Sequence, residues 1–229
     1  GCKDCRSMNY QFIAIEGNIG AGKTTLSKMI AKRYDGKLVL EEFADNPFLP
    51  KFYNDASKYA FPLELSFLAE RYQQLKEEMS SADLFNPLTV SDYIFQKCLL
   101  FAKVNLPEAE YQLFSKLFNI IKPLLPKPDL LVYLYLTIPD IQKNIAKRGR
   151  DYEQKIPNEY LQKIQDSYLD HFKGQPDQRI LILDVTGINF IENPEHFEHI
   201  IQLLEQDYSP GIHRISIAEE SGTAFLPHS

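Results

Sequence analysis

Cysteine is scarce. Three thiols in 229 residues, Cys2, Cys5 and Cys98, are too few for a disulfide scaffold, which points to a reducing compartment. Cys2 and Cys5 have CxxC spacing, yet no second pair and no histidine cluster completes a zinc site. They fall in residues 1–8, which are expected to be a leader or cloning remnant ending near Met8. Long hydrophobic runs are also missing: nothing approaches the roughly 20 apolar residues that span a bilayer, and the first residues lack the apolar core of a signal sequence. A soluble, cytoplasmic protein with no membrane partner is expected. Positive charge is in deficit, with 25 Lys and Arg against 31 Asp and Glu, for a net charge of −6. That balance argues against a nucleic-acid backbone as the main partner. It leaves room for small phosphate ligands, because a local cluster of Lys and Arg suffices for those. No internal repeat and no linker divides the chain, and 44% hydrophobic with 24% charged residues is ordinary globular composition.

What is present is organised around one stretch, Gly17-Asn18-Ile19-Gly20-Ala21-Gly22-Lys23-Thr24-Thr25. It follows the apolar run Phe12-Ile13-Ala14-Ile15 and precedes a helical pattern at Leu26, Met29 and Ile30. That is the strand–GxxxxGK(S/T)–helix context of a phosphate-binding loop. Gly17 and Gly22 let the backbone approach a polyphosphate with no Cβ in the way. Amide N–H groups and the positive end of the following helix then face the anion. Lys23 is placed to reach the terminal phosphates, and the Thr24 hydroxyl to ligate Mg²⁺. The stretch predicts a site for ATP or another nucleoside triphosphate.

Five segments read as buried strands: Phe12–Ile15, Lys37–Leu40, Leu88–Asp92, Leu130–Leu136 and Ile180–Leu183. Helical periodicity fills the gaps. It runs from Lys23 to about Tyr34, through a short helix opened by Asn46-Pro47, and along a long amphipathic helix from about Lys58 to Ser80. Further helices are predicted through Phe95 to Lys103, from Pro107 to Ile121, from Pro139 into Lys147-Arg148-Gly149-Arg150, from Pro157, and from Pro194 to Gln206. Strands that are apolar throughout and alternate with helices predict an α/β fold, a five-stranded parallel sheet flanked by helices. The expected domain is 9–208, with 209–229 an appended tail.

Ligands of open parallel sheets bind at the carboxyl ends of the strands. Three strands end in chemistry: the first in the phosphate loop, the second in Glu41-Glu42 and the third in Asp92. Any one strand-end acid is more often a solvated loop residue or a helix cap. Two acids converging on the edge that holds a phosphate loop favour function. A kinase acting on an alcohol needs a carboxylate to take the hydroxyl proton, and cations around the migrating group. Lys147-Arg148-Gly149-Arg150, at a helix end with a glycine, is a candidate lid, although a basic helix C-terminus also complements the dipole. Asp184-Val185-Thr186-Gly187 matches the DxxG of GTPase switches. No Asn-Lys-x-Asp accompanies it, so it reads as a strand-to-loop turn beside the nucleotide's base, with Asp184 at the nucleotide site. His196 and His199, three apart among glutamates, read as surface.

Two stretches carry a more specific resemblance: Glu16 through Thr25, and Arg148-Gly149-Arg150-Asp151-Tyr152-Glu153-Gln154 continuing through Ile156-Pro157 and Glu159-Tyr160-Leu161. With them, Phe12 to about Gln206 resembles the deoxyribonucleoside kinase family, in its bacterial deoxyguanosine and deoxyadenosine kinase branch. The resemblance implies a P-loop kinase fold with a lid segment and phosphoryl transfer to the 5′-hydroxyl of a deoxyribonucleoside. It implies that Glu41 is the catalytic base and that Tyr53 contacts the sugar 3′-hydroxyl and crowds out a 2′-hydroxyl. Arg71 then addresses the nucleobase, Arg148 and Arg150 are the lid arginines, and Glu153 is a second 3′-hydroxyl partner. It also implies a homodimer through the Lys58–Ser80 and Pro107–Ile121 helices.

Two departures stand out. Where the family carries an acid-Arg-Ser triplet, this chain has Ser91-Asp92-Tyr93, so Asp92 matches the acid and no arginine follows; Lys97 is a candidate replacement cation. Where the family carries a glutamine that pairs with the base, this chain has Glu64, which shares a helix face with Arg71. A carboxylate offers acceptors only. It matches the N1–H and 2-amino donors of guanine, so a deoxyguanosine-type nucleoside is expected. The alternatives are a nucleoside monophosphate kinase of the thymidylate type and a nucleotide-binding module with little kinase activity.

Overall fold

The computed structural model describes residues 8–42, 45–79 and 88–220. The CxxC pair and the residue expected to end the long helix, Ser80, lie outside the described residues.

Strand β1 (Phe12–Gly17) runs into the phosphate loop and helix α1 (Lys23–Tyr34). Strand β2 (Lys37–Val39) leads to α2 (Phe48–Asn54) and the 24-residue α3 (Ala56–Met79). Strand β3 (Thr89–Ser91) is followed by α4 (Lys97–Asn105) and α5 (Glu108–Ile121). Strand β4 (Leu130–Tyr135), α6 (Ile138–Arg148) and α7 (Asn158–Lys173) precede β5 (Arg179–Asp184) and α8 (Pro194–Leu204). The described chain closes with β6 (Gly211–Ser216) and the short α9 (Ile217–Glu220).

All pairings are parallel, in the order β2-β3-β1-β4-β5-β6. Alternate residues of each strand face opposite sides of the sheet. Ile13, Ile15, Val132 and Leu134 therefore pack with Leu26, Ile30 and Ile200 on one face. Ala14, Leu131 and Tyr133 pack with Tyr168 and Phe172 on the other. Burial on both faces explains why these strands read as continuous apolar runs. A third cluster, with Phe52, Leu63, Phe67, Cys98, Phe114 and Phe118, joins α2, α3, α4 and α5.

The sheet has six strands where the sequence pattern predicts five, and the sixth comes from the segment expected to be a tail. β6 pairs with β5 from Arg179↔Gly211 to Asp184↔Ser216. As an edge strand it is only half covered, and Ile212, His213, Arg214 and Ile215 mix apolar and polar residues on both of its faces. The continuous apolar run that marks the inner strands is therefore missing. No helix among the described residues is long and apolar enough to cross a membrane.

Candidate active site

The loop after β1 is shaped by what cannot fit. A Cβ on Gly17 would lie 2.8 Å from Ala21 Cβ and 3.1 Å from the Leu134 carbonyl. Gly20 and Gly22 have φ of 75° and 90°, in the left-handed region that favours glycine. Two side chains then pin the loop from behind. Buried Asn18 donates from Nδ2 to the Leu161 carbonyl (2.8 Å) and accepts from the Ile19 N–H (2.8 Å). Asn144 on α6 donates to the Gly20 carbonyl (2.9 Å). Lys23 turns back to donate to the Gly17 carbonyl (3.2 Å). Burial, and then the nearby charge of Lys97, lower its ammonium pKa to about 8.

Asp92, one residue past β3, ties the two sides of the site together. Its Oδ2 accepts from the Thr24 hydroxyl (2.7 Å), and its Oδ1 accepts from the Glu41 backbone N–H (2.7 Å). One buried carboxylate thus sets the phosphate loop and the residue after β2 at a fixed separation. The Glu41 side chain is gripped by two cations. Arg71 Nη2 donates to Oε1 (3.2 Å) and Lys97 Nζ to Oε2 (3.1 Å). Burial pushes the Glu41 carboxyl up. Arg71, Lys97 and Lys23 together outweigh it and hold the carboxyl well below the usual carboxylate range.

Tyr93, at the position of the absent triplet arginine, is buried and donates its hydroxyl to Gln74 (2.6 Å). The cation that reaches Glu41 beside Arg71 comes from α4, at Lys97, which also lies 5.6 Å from the Phe101 ring centroid.

These groups line one cavity of about 670 Å³. Its phosphate end holds Ile19 through Thr25, Asp92 and Glu41; its far end is closed by Tyr53, Glu64, Phe67, Asn105 and Tyr160. Arg148, the last residue of α6, and Arg150 and Glu153, just past its cap at Gly149 (φ 74°), border it. Glu153 is buried and already engaged. Its Oε1 accepts from Arg148 Nε (3.0 Å) and Nη2 (2.7 Å), and Arg150 lies 3.8 Å from its Oε2. Tyr53 stacks on Tyr152 at 5.9 Å, tying α2 to the same segment.

Of the residues singled out in the sequence, Gly17 and Asn18 support the loop from outside the cavity lining. Asp184 does not line the cavity either. Its Oδ1 accepts from the Thr186 N–H (3.0 Å), so its charge is spent on its own turn. The loop that follows supplies the lining instead, with Val185, Ile188 and Phe190 beside the phosphate loop. Asn105 is a cavity residue with no signal in the sequence, a single amide at the end of α4.

Comparison with known proteins finds relatives over most of the chain. A deoxynucleoside kinase family model matches residues 13–207. A deoxyguanosine kinase of Bacillus subtilis (strain 168) is 34% identical over 193 residues, covering 82% of this chain and 93% of the relative. A deoxyadenosine/deoxycytidine kinase of the same organism is 30% identical over 197 residues, covering 82% and 89%. A deoxyadenosine kinase from M. mycoides, solved with bound dATP, superposes with a TM-score of 0.72 at 25% identity, covering 85% of this chain and 100% of that one. Since the matched span runs from the start of β1 to just past α8, taking in five of the six strands, the chain belongs to the deoxynucleoside kinase family.

Proposed function

We propose that this deoxynucleoside kinase moves the terminal phosphoryl group of ATP, or another nucleoside triphosphate, to the 5′-hydroxyl of a purine deoxyribonucleoside, deoxyguanosine favoured, with Glu41 as general base. The observation that carries this reading is the Asp92 bridge, which presents Glu41 and Thr24 to one cavity. A carboxylate ionised throughout the neutral range is a weak base, and a loose phosphoryl-transfer transition state asks for no stronger one, since the hydroxyl proton leaves late. The Glu41 oxygens each keep a lone pair beyond those used by Arg71 and Lys97, so a 5′-hydroxyl can donate without displacing either cation. Lys23 neutralises the donor phosphates, and Arg148 and Arg150 the migrating group.

The Thr24 hydroxyl and Asp92 carboxylate are hard oxygen donors already in contact, a set that suits Mg²⁺, which takes one or two protein oxygens and completes its shell with phosphates and water. When bound, the ion would offset charge between the β- and γ-phosphates.

At the sugar, Tyr53 and Glu153 face the 3′-hydroxyl, and Tyr53 leaves no room for a 2′-hydroxyl. At the base, Arg71 and Glu64 address the ring, and the relative named for deoxyguanosine supports a purine.

Helix α5 turns Phe114 and Phe118 inward and leaves Leu113, Leu117 and Ile120 exposed, followed by Leu124 just beyond the helix. Their 4, 3, 4 spacing makes one apolar stripe, which a second copy of the chain would cover in a homodimer. A cytoplasmic location fits a buried, reduced Cys98.

An ADP-release assay against the natural deoxy- and ribonucleosides and their monophosphates tests the reading. Turnover should be highest with deoxyguanosine and low with ribonucleosides. Turnover with monophosphates alone would assign a thymidylate-type kinase instead, and tight ATP binding with no acceptor-dependent ADP release would assign a binding module.

A further inference from the structure

At the far end of the cavity, Glu64 is buried, with 1% of its surface exposed, and one of its two oxygens is already spoken for. Asn105 Nδ2, from α4, donates to Oε1 at 3.1 Å. Oε2 is buried and has no hydrogen-bond partner among the described residues. Arg71, seven residues along the same helix, also has its Nε buried and unpartnered, while its Nη2 holds Glu41. Seven residues of helix rise about 10 Å. Glu64 lines the same cavity as Glu41, two turns of α3 from the arginine that holds that carboxylate. Leaving such a carboxyl oxygen unpaired is costly, so a ligand polar group is the expected partner.

We infer that Glu64, oriented by Asn105, is the residue that chooses between purines, and that it does so through its own proton. As a carboxylate it presents acceptors only and pairs with the N1–H and 2-amino donors of guanine, while adenine would set the N1 lone pair against it. As a neutral acid it keeps Oε1 as the acceptor, because Asn105 donates there, and carries the proton on Oε2. It then offers one donor and one acceptor side by side, which match N1 and the 6-amino group of adenine. Asn105 is the positioning residue that decides which oxygen carries the proton. This inference rests on the proposed nucleoside kinase activity and adds what sets its base selectivity.

The surroundings place the proton exchange in an accessible range. Burial pushes the Glu64 carboxyl up to about 7, against the opposing pull of Arg71, the Asn105 hydrogen bond and Lys97. Glu41 pushes in the same direction as burial. Tyr53 from α2, Tyr160 from α7 and Cys98 from α4 also sense Glu64. Burial pushes each of the three up, so they stay neutral across the same window and leave Glu64 as the group that titrates.

The test is the ratio of kcat/KM for deoxyguanosine to that for deoxyadenosine, followed from about pH 6 to about pH 8. Groups that both substrates use, Glu41 and Lys23 among them, cancel in the ratio. With a midpoint near 7, the neutral fraction of Glu64 falls about tenfold across the window. The ratio should rise with pH by about tenfold if only adenine depends on the proton, and by up to about a hundredfold if guanine also needs the carboxylate. Glu64→Gln, which always offers one donor and one acceptor, should give a pH-independent ratio. Asn105→Leu removes a hydrogen bond that favours the charged form, so its midpoint should move to higher pH. A wild-type ratio that stays flat while both nucleosides turn over would overturn the inference and leave the kinase reading intact, as would a Glu64→Gln ratio that still changes with pH. Absence of nucleoside-dependent ADP release would overturn both.

Discussion

Replacing Lys97 with methionine should move the pH at which the enzyme loses its grip on ATP. Lys23 titrates near 8, and above that pH the phosphate loop gives up its mobile cation. Wild-type affinity for ATP with Mg²⁺ should therefore fall by up to about tenfold per pH unit beyond pH 8. Burial is the larger cause of the lowered Lys23 pKa, and the like charge of Lys97 is the next. Methionine keeps an unbranched stem of similar bulk and carries no charge. The repulsion on Lys23 then disappears, while Glu41, already ionised, keeps its attraction for Lys23. A like charge several ångströms away is worth about 2 kcal/mol at an effective dielectric of about 20, and solvent in the cavity screens part of it. A shift of roughly one pKa unit, about 1.4 kcal/mol, is the expected net result, which carries the alkaline limb up toward about pH 9. Titration calorimetry with ATP and Mg²⁺, without nucleoside, from about pH 7 to about pH 9.5, reads it directly. Affinity that is flat across the range in the wild type, or a Lys97→Met limb that stays put or moves down, would refute the assignment of this coupling.

Gly20→Ala should destabilise the fold by about 2–3 kcal/mol, read as a fall in the thermal midpoint. The new Cβ would lie 2.9 Å from Ile145 Cγ1 and 3.2 Å from the Ile141 carbonyl, at a φ of 75°. An unchanged midpoint would mean that the loop is not held in this conformation. Ile120→Glu, at a position 72% exposed, should leave the thermal midpoint of a monomer within about a degree or two while converting a dimer to monomers in light scattering. Wild-type protein that is already monomeric would remove the proposed pairing.

Much of the scaffold was legible because each inner element carries its own signal. The run through Phe12–Ile15 and the glycines after it predict a strand, a loop and a helix that the structure places at Phe12–Gly17 and Lys23–Tyr34. The prolines at 107, 139 and 157 mark helix starts, and helices begin at Glu108, Ile138 and Asn158. The edge strand β6 carries no such signal, because it is only half covered and mixes polar and apolar residues without a period, and nothing local distinguishes such a stretch from a loop. At the site, spacing placed Glu64 and Arg71 on one helix face, and both line the cavity. Asp92 was legible as a strand-end acid, but its bridging of Thr24 and Glu41 depends on the β1–β3 pairing, a non-local fact. Asn105 was invisible for the same reason: a lone amide gains meaning only from the carboxylate that packing brings to it. The strand-to-loop turn at Asp184 is legible, but that its carboxylate accepts from its own turn and lies outside the cavity lining depends on packing that its sequence position does not reveal.

The assignment of Glu41 is tested most directly by Glu41→Gln, assayed with saturating ATP, Mg²⁺ and deoxyguanosine beside calorimetric titration of ATP. Glutamine keeps the shape and loses the proton acceptor, so product formation should fall by about 10²- to 10⁴-fold. ATP affinity should stay largely intact, because the glycine-rich loop and Lys23 are left in place. Turnover close to wild type would contradict a base at residue 41.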